Sequence, residues 1–323
     1  MDEAIRSTAR LLADRDFDDV LLVCHSNPDG DTLGSAYALR RGLELLGKRC
    51  WVRYEEGYDA AFDFLTRDLK APDAPVRSIV TVDVADLSLV KGGLDRDPDL
   101  AVDHHKNNRV PAAYKLCLPD RAACGEIVFE LLTELGVPME RDIARALYTA
   151  IATDTGRFCY QNTTSRTFRI AAMLCDAVPE GGFADINDLV FETRSPRQMK
   201  IEAFAVNSML MLRNGSVAAL GLTDAQMREL GNPERDFSEV INVLRRVEGV
   251  KVAVFVRERD GAAKVSLRAK PGFDCARLCE RFAGGGHAGA AGCTLQCGVP
   301  EALERITEAI IEVMDEQRSH SSQ

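Results

Sequence analysis

The chain has 323 residues, 46% of them hydrophobic, and a formal net charge of −10. That length exceeds what one core usually organises, so two domains are expected, and the charge argues against non-specific binding of long duplex nucleic acid, which needs extended phosphate neutralisation. No apolar run approaches the roughly 18 residues of a membrane helix, and the N-terminal MDEAIRSTARLLADRD is charged and amphipathic, so a cytoplasmic protein with no membrane partner is expected.

In chain order, DDVLLVCH reads as a buried strand, and DTLGSAYALRRGLELLG as an amphipathic helix ending at Gly47. KRCWVRY, RSIVTVDV and the short LAVDHH continue as strands, the rhythm of a parallel sheet covered by helices. Three helices follow: CGEIVFELLTELG, closing on Gly136, then MERDIARALYTAIATDTG and TSRTFRIAAMLCDAV. SPRQMKIEAFAVNSMLMLRNG reads as one connector helix, entered through Ser-Pro and stopped by Asn-Gly. Beyond it come SVAALGL, a hairpin VKVAVFVRERDGAAKVSLRAK turning at Asp-Gly, a helix FDCARLCERFA and the glycine-rich GGGHAGAAG. The expected fold class is α/β: a parallel-sheet α/β domain over residues 1–185, a helical connector over 186–214, and a smaller α+β domain over 215–323.

The ten cysteines are scattered, many in apolar surroundings, and read as buried reduced thiols. Cys275/Cys279 and Cys293/Cys297 are spaced unlike zinc knuckles, with helical ARL in one interval and strand-like TLQ in the other.

Open parallel sheets bind ligands outside the carboxyl ends of their strands. There this sequence repeatedly turns polar: His25, Asp29 and Asp31 follow VLLVC, Asp83 follows RSIVTV, Asp103, His104 and His105 follow LAV, and Asp154 ends a helix. Turn geometry accounts for Asn27, Pro28 and Gly30 but not for the histidine and aspartates around them. So many carboxylates at one rim carry a like-charge penalty that a cation relieves. Carboxylates with neutral imidazoles suit Mn²⁺, Co²⁺, Fe²⁺, Zn²⁺ or Mg²⁺, and six or more ligands suit two ions sharing a carboxylate, an arrangement for phosphoryl hydrolysis.

The motifs HSNPDGD, TVDVAD, VDHHK and TDTGRF, in this order, resemble the four motifs of the DHH phosphoesterase superfamily, and GGGHAGAAG resembles the motif of its associated C-terminal domain. Within that superfamily the chain is similar to the two-domain oligoribonucleases that degrade nanoRNA, some of which also dephosphorylate 3′-phosphoadenosine 5′-phosphate. The resemblance implies one ion on His25, Asp29 and Asp83, and a second on Asp31, Asp83, His104 and Asp154, with manganese the foremost candidate. It further implies that Asp83 bridges, that Asp103 supports the histidines and that His105 contacts the phosphate or leaving group.

In the second domain the resemblance implies substrate contacts from Arg268, Lys270, Gly284, Gly285, Gly286 and His287, with substrate lying between the domains. Ala283 and Ala269 depart from the family's usual residues, which bears on substrate preference. The expected substrate is short single-stranded RNA or a nucleotide, acted on by a monomer or homodimer. Hydrolysis of cyclic or linear second-messenger dinucleotides uses the same site and stays open. A pyrophosphatase would carry a different second domain, and a RecJ-like exonuclease further modules. A non-catalytic nucleotide-binding or RNA-binding module is the alternative of another class, against which the full ligand set speaks.

Overall fold

The computed structural model describes residues 2–55, 60–178, 181–231, 237 and 239–321. The chain divides into two compact units, Met1–Thr193 and Arg194–Gln323. Among the described residues no helix is long and apolar enough to cross a membrane.

The first unit runs α1 (Glu3–Ala13), β1 (Val20–Val23), α2 (Gly30–Leu45), β2 (Cys50–Arg53), α3 (Asp63–Thr66), β3 (Ser78–Val82), β4 (Leu100–Asp103), β5 (Tyr114–Cys117), α4 (Cys124–Glu134), α5 (Arg141–Asp154), α6 (Ser165–Asp176) and α7 (Ala184–Asn187). Its five strands are all parallel in the order β2-β1-β3-β4-β5. The order reverses between β1 and β3, and the crevice at such a switch point is where parallel sheets accept ligands.

One sheet face, with Val20, Leu22, Val80, Val82, Leu100, Val102 and Leu116, packs on helices α1, α2, α4 and α5. The other face is closed by the connecting segments that carry Val84, Val90 and Val110, including a single 3-10 turn at Leu87–Leu89. Helices α2 and α5 approach closely because Gly30 and Gly34 are small: a Cβ would come 2.5 Å from Thr153 at the first and 2.4 Å from the Ala146 carbonyl at the second. Gly47, at φ +80°, ends α2 in a left-handed turn as expected. Strand β5 escaped the sequence reading because it is a polar edge, with only Leu116 buried among YKLC.

The second unit runs α8 (Pro196–Ser208), β6 (Leu210–Leu212), β7 (Val217–Leu222), α9 (Asp224–Glu229), α10 (Val240–Arg246), β8 (Val252–Arg259), β9 (Ala262–Ala269), α11 (Cys275–Glu280), β10 (Gly285–His287), β11 (Ala290–Leu295) and α12 (Val299–Ser321). The strand order is β10-β11-β9-β8-β7-β6, antiparallel except for β7 against β8. Asp260 (φ +51°) and Gly261 (φ +76°) make the hairpin turn, both left-handed as a two-residue turn of primed type requires.

Two local expectations are corrected. The helix entered through the Ser195 capping box and Pro196 stops at Ser208, and Leu210–Leu212 form a strand paired with β7, because the turn at Arg213, Asn214 and Gly215 is a hairpin turn and not a helix stop. Gly285–His287 is likewise a strand paired with β11 rather than a loop. All ten cysteines are free thiols, and none belongs to any metal-ligating group among the described residues.

Candidate metal centre

The rim of the first unit gathers the residues that follow β1, β3 and β4 with the end of α5. Three overlapping sets bring ligand atoms within 4.8 Å of one another: His25, Asp29 and Asp83; Asp31, His104 and Asp154; and Asp83, His104 and His105. Asp83 sits between the first two. Its Oδ2 lies 3.7 Å from His25 Nε2, while its Oδ1 lies 3.5 Å from His104 Nε2. His104 Nε2 is also 3.8 Å from Asp31 Oδ2 and 3.7 Å from Asp154 Oδ2. His25 Nε2 is 3.7 Å from Asp29 Oδ1.

Local structure aims these groups. Asp83 takes φ +58°, a conformation that Asp tolerates better than most residues, and so turns its carboxylate off the end of β3. Asp29 is the N-cap of α2 and accepts from the N–H groups of Asp31 and Thr32 at 3.0 and 3.1 Å. Histidine orientation is set from behind: His25 Nδ1 donates to the Ser26 carbonyl at 2.9 Å, and His104 Nδ1 reaches the Arg121 carbonyl at 3.3 Å. Both rings therefore present Nε2 to the carboxylates.

Asp103, wholly buried, is engaged by four donors: the N–H groups of His104 and His105 at 2.8 and 3.2 Å, His105 Nδ1 at 2.7 Å, and Asn108 Nδ2 at 2.6 Å. Three of the four donors converge on Oδ1 and Asn108 takes Oδ2, so the carboxylate is engaged in holding the His104 and His105 backbone and the His105 ring through its Nδ1.

Sequence reasoning missed several supporting groups. Asp31 accepts from the N–H groups of Cys124 and Gly125 at 2.8 and 3.0 Å and from Ser35 Oγ at 3.0 Å. Its carboxylate thereby caps α4, whose own N-cap residue, Ala123, has no side chain able to accept. A helix that starts without a capping side chain is the one signal that could have found this contact. Asn108 also bonds the Val84 carbonyl at 2.8 Å, and Asn162 ties the Asp154 carbonyl to that of Ala122 at 3.1 and 2.9 Å. Neither is marked by local periodicity.

The electrostatics fit a divalent cation. Burial raises the Asp31 carboxyl well above the ordinary carboxylate value, and Asp83 and Asp154 add to the rise. Burial also raises Asp83 despite its two histidine neighbours, and takes Asp154 up to about 7 against the opposing pull of His104. Burial alone would lower His25, but Asp29 and Asp83 outweigh it and push the imidazole up to about 12. His105 follows the same pattern, with Asp103 outweighing burial, and rises to about 9. Protons are thus drawn into a cluster of buried negative charge, and a metal ion answers the same deficit. Asp83 Oδ1 is moreover buried without a hydrogen-bond partner, a vacancy suited to a cation rather than to a structural role.

In the second unit, strand register places Arg268 and His287 on either side of Ala290, so the two side chains share one sheet face. Gly284 and Gly286 lie tight against β11: a Cβ would meet the Gly292 carbonyl at 2.3 Å and the Ala290 carbonyl at 2.6 Å, whereas Gly285 faces open space. Lys270 lines a cavity with Arg213, Lys251, Phe273 and Met314, and that lining includes neither Arg268 nor His287.

The family model for the N-terminal domain of the DHH family matches residues 19–151, and the DHHA1 domain model matches residues 214–316. The bifunctional oligoribonuclease and PAP phosphatase NrnA of Thermus thermophilus is 31% identical over 300 residues, spanning 91% of this chain and 89% of the relative. The chain belongs to the DHH phosphoesterases, in the NrnA group. A probable NrnA of Streptococcus mutans is 25% identical over 281 residues, covering 85% of this chain and 89% of that protein. An exopolyphosphatase-related protein from Bacteroides fragilis shares the fold, with a TM-score of 0.83 at 22% identity over 98% of each chain. As a DHH phosphoesterase the protein is a hydrolase dependent on divalent metal, and its rim offers the acidic and histidine groups to bind it.

Proposed function

We propose that this DHH phosphoesterase hydrolyses short oligoribonucleotides to mononucleotides and 3′-phosphoadenosine 5′-phosphate to AMP, using two divalent ions, manganese foremost. The observation that carries the reading is Asp83, whose two carboxylate oxygens face two different sets of histidine and carboxylate ligands. His25, Asp29 and Asp83 would hold one ion, and Asp31, Asp83, His104 and Asp154 the other. Such a pair supplies Lewis acidity, activating water and neutralising charge on the phosphoryl oxygens.

The chain's own residues do the remainder. Ser26 and Arg121 lend carbonyls that fix the tautomers of His25 and His104. Asp103 keeps a proton on His105 Nδ1, leaving Nε2 to hold a proton against a phosphoryl or departing oxygen. Arg268, His287 and the Gly284–Gly286 segment receive a substrate phosphate, with Lys270 adding positive charge nearby. The names of the NrnA relatives support the substrate class, and the net charge of −10 favours short single strands over long duplexes. The enzyme would work in the cytoplasm as a monomer or homodimer.

The test is Mn²⁺-dependent release of mononucleotides from a labelled RNA ladder, dimer to pentamer, beside 3′-phosphoadenosine 5′-phosphate and cyclic and linear dinucleotides. Turnover of the dimer-to-pentamer ladder and of 3′-phosphoadenosine 5′-phosphate is expected. No turnover of any RNA with Mn²⁺, Co²⁺ or Mg²⁺ would sink the reading.

A further inference from the structure

The two ligand sets of the rim are supported in different ways. His25 and Asp29 are held within one short stretch of chain, by the Ser26 carbonyl behind the imidazole and by the N–H groups of Asp31 and Thr32 at the carboxylate. Asp31, His104 and Asp154 instead come from α2, the end of β4 and the end of α5, and all three are tied to the single segment 121–125. The Arg121 carbonyl accepts from His104 Nδ1 at 3.3 Å. The Ala122 carbonyl accepts from Asn162 Nδ2 at 2.9 Å, and the same amide donates to the Asp154 carbonyl at 3.1 Å. The Cys124 and Gly125 N–H groups donate to Oδ2 and Oδ1 of Asp31 at 2.8 and 3.0 Å.

The segment is clamped in its turn. Arg121 is buried, and its guanidinium takes Glu130 of α4 in a forked pair, with Nε 3.0 Å and Nη2 2.8 Å from the carboxylate, while Nη1 donates to Asp120 Oδ2 at 2.6 Å. Arg166 of α6 approaches the Asp120 and Glu130 carboxylates at 3.3 and 3.6 Å. A buried guanidinium is costly without such acceptors, so the fork fixes where the Arg121 backbone lies. The Ala122 N–H donates to Glu126 Oε2 at 3.2 Å, a second tie between the segment and the first turn of α4.

We propose that segment 121–125, locked by the Arg121–Glu130 pair, sets the affinity of the ion held by Asp31, His104 and Asp154 and not that of the ion at His25 and Asp29. Arg121, Glu130 and Asn162 are then positioning residues for one metal of the two. This rests on the two-ion reading above. A ligand binds well only when its free lone pair is aimed at the ion, and the partners behind metal ligands commonly change affinity by about ten- to a hundredfold. Removing the Glu130 charge releases the Arg121 guanidinium, and a shift of the Arg121 carbonyl re-aims the His104 ring. The same shift passes through Ala122 and Asn162 to Asp154 and through the Cys124 and Gly125 N–H groups to Asp31, so three ligands loosen together. Among the described residues no hydrogen bond joins His25 or Asp29 to the segment. Asp83 serves both sets and starts from β3, outside the clamp.

The experiment titrates the full chain with Mn²⁺ and reads free Mn²⁺ by electron paramagnetic resonance, in two backgrounds that each keep one ligand set. Asp29→Asn leaves the set tied to the segment, and Asp154→Asn leaves the other. Adding Glu130→Gln should raise the Mn²⁺ Kd about tenfold in the Asp29→Asn chain and leave it within about twofold in the Asp154→Asn chain. Asn162→Ala changes an exposed residue and leaves the buried pair alone, so it makes the same test should Glu130→Gln disturb folding, and it should weaken the same ion by about threefold or more while sparing the other. Circular dichroism of the metal-free chains establishes that each is folded. Equal weakening in the two backgrounds, or none in the Asp29→Asn background, by either change in a folded chain overturns the clamp and leaves the two-ion reading intact. An unaltered chain that binds a single Mn²⁺ overturns both.

Discussion

The two sheets put their polar residues in opposite places. In the first unit the central strands β1, β3 and β4 are largely buried on both faces, and their charged groups come where the strands end, so His25, Asp83 and His104 converge in one largely desolvated crevice. In the second unit Arg257, Lys264 and Arg268 stand within the strands β8 and β9 themselves rather than on the loops that follow them. Chemistry on a phosphoryl group needs ligands that converge on a point in low dielectric. Recognition of a repeating backbone needs contacts spaced along a line.

The sharpest way to break this comparison is at the shared carboxylate. Asp83→Asn keeps a residue that tolerates φ +58° and retains one oxygen, but removes the charge that faces both ligand sets. Turnover of every substrate should fall about a thousandfold or more, as expected for loss of electrostatic stabilisation, with circular dichroism and the melting transition preserved. Activity within tenfold of the unaltered protein would remove Asp83 from the centre.

A second prediction concerns the desolvated rim without metal. Asp154 stands at about 7 in the fold against an ordinary carboxylate value in the unfolded chain, and His105 at about 9 against an ordinary imidazole value. Between those values the folded chain binds more protons than the unfolded one, so stability is fully present in acid and is lost as pH rises through about 7 and then 9. Chelated protein should therefore melt at progressively lower temperature from pH 5 to pH 8. Manganese, whose ligands must be deprotonated, should reverse or flatten that slope. Parallel melting curves with and without metal would contradict the cation reading of the rim.

The smallest effect is expected at β10. Gly286 has φ +139°, and a Cβ there would lie 2.6 Å from both the Ala290 carbonyl and Ala291 Cα. Gly286→Ala should displace β10 and with it His287, raising KM for RNA about three- to tenfold, on the order of 1 kcal/mol, with kcat changed less. A fall in kcat at constant KM would mean that this strand contributes to the chemistry and not to recognition.

Much of the rim was legible because parallel strands write their exposed ends as a change from apolar runs to Asp and His, and the motifs recur in order. The hairpin at Asp260-Gly261 was legible for a similarly local reason, since both residues must take positive φ. The end of α8 was not, because Met209–Leu212 is apolar enough to continue a helix, and only pairing with β7 draws it into a strand. Strand β5 was hidden by its polarity at the sheet edge.

By itself the sequence determined two domains, a parallel sheet whose strands end in Asp and His, and membership in a phosphoesterase family, since these depend on residue type and periodicity along the chain. Only the tertiary structure decided that Asp83 turns one oxygen to each histidine, that Asp31 caps a helix more than ninety residues away, and that Lys264 shares a face with Arg268 and His287. Those are hydrogen bonds, strand registers and burial set between distant segments, and no local pattern in the chain records them.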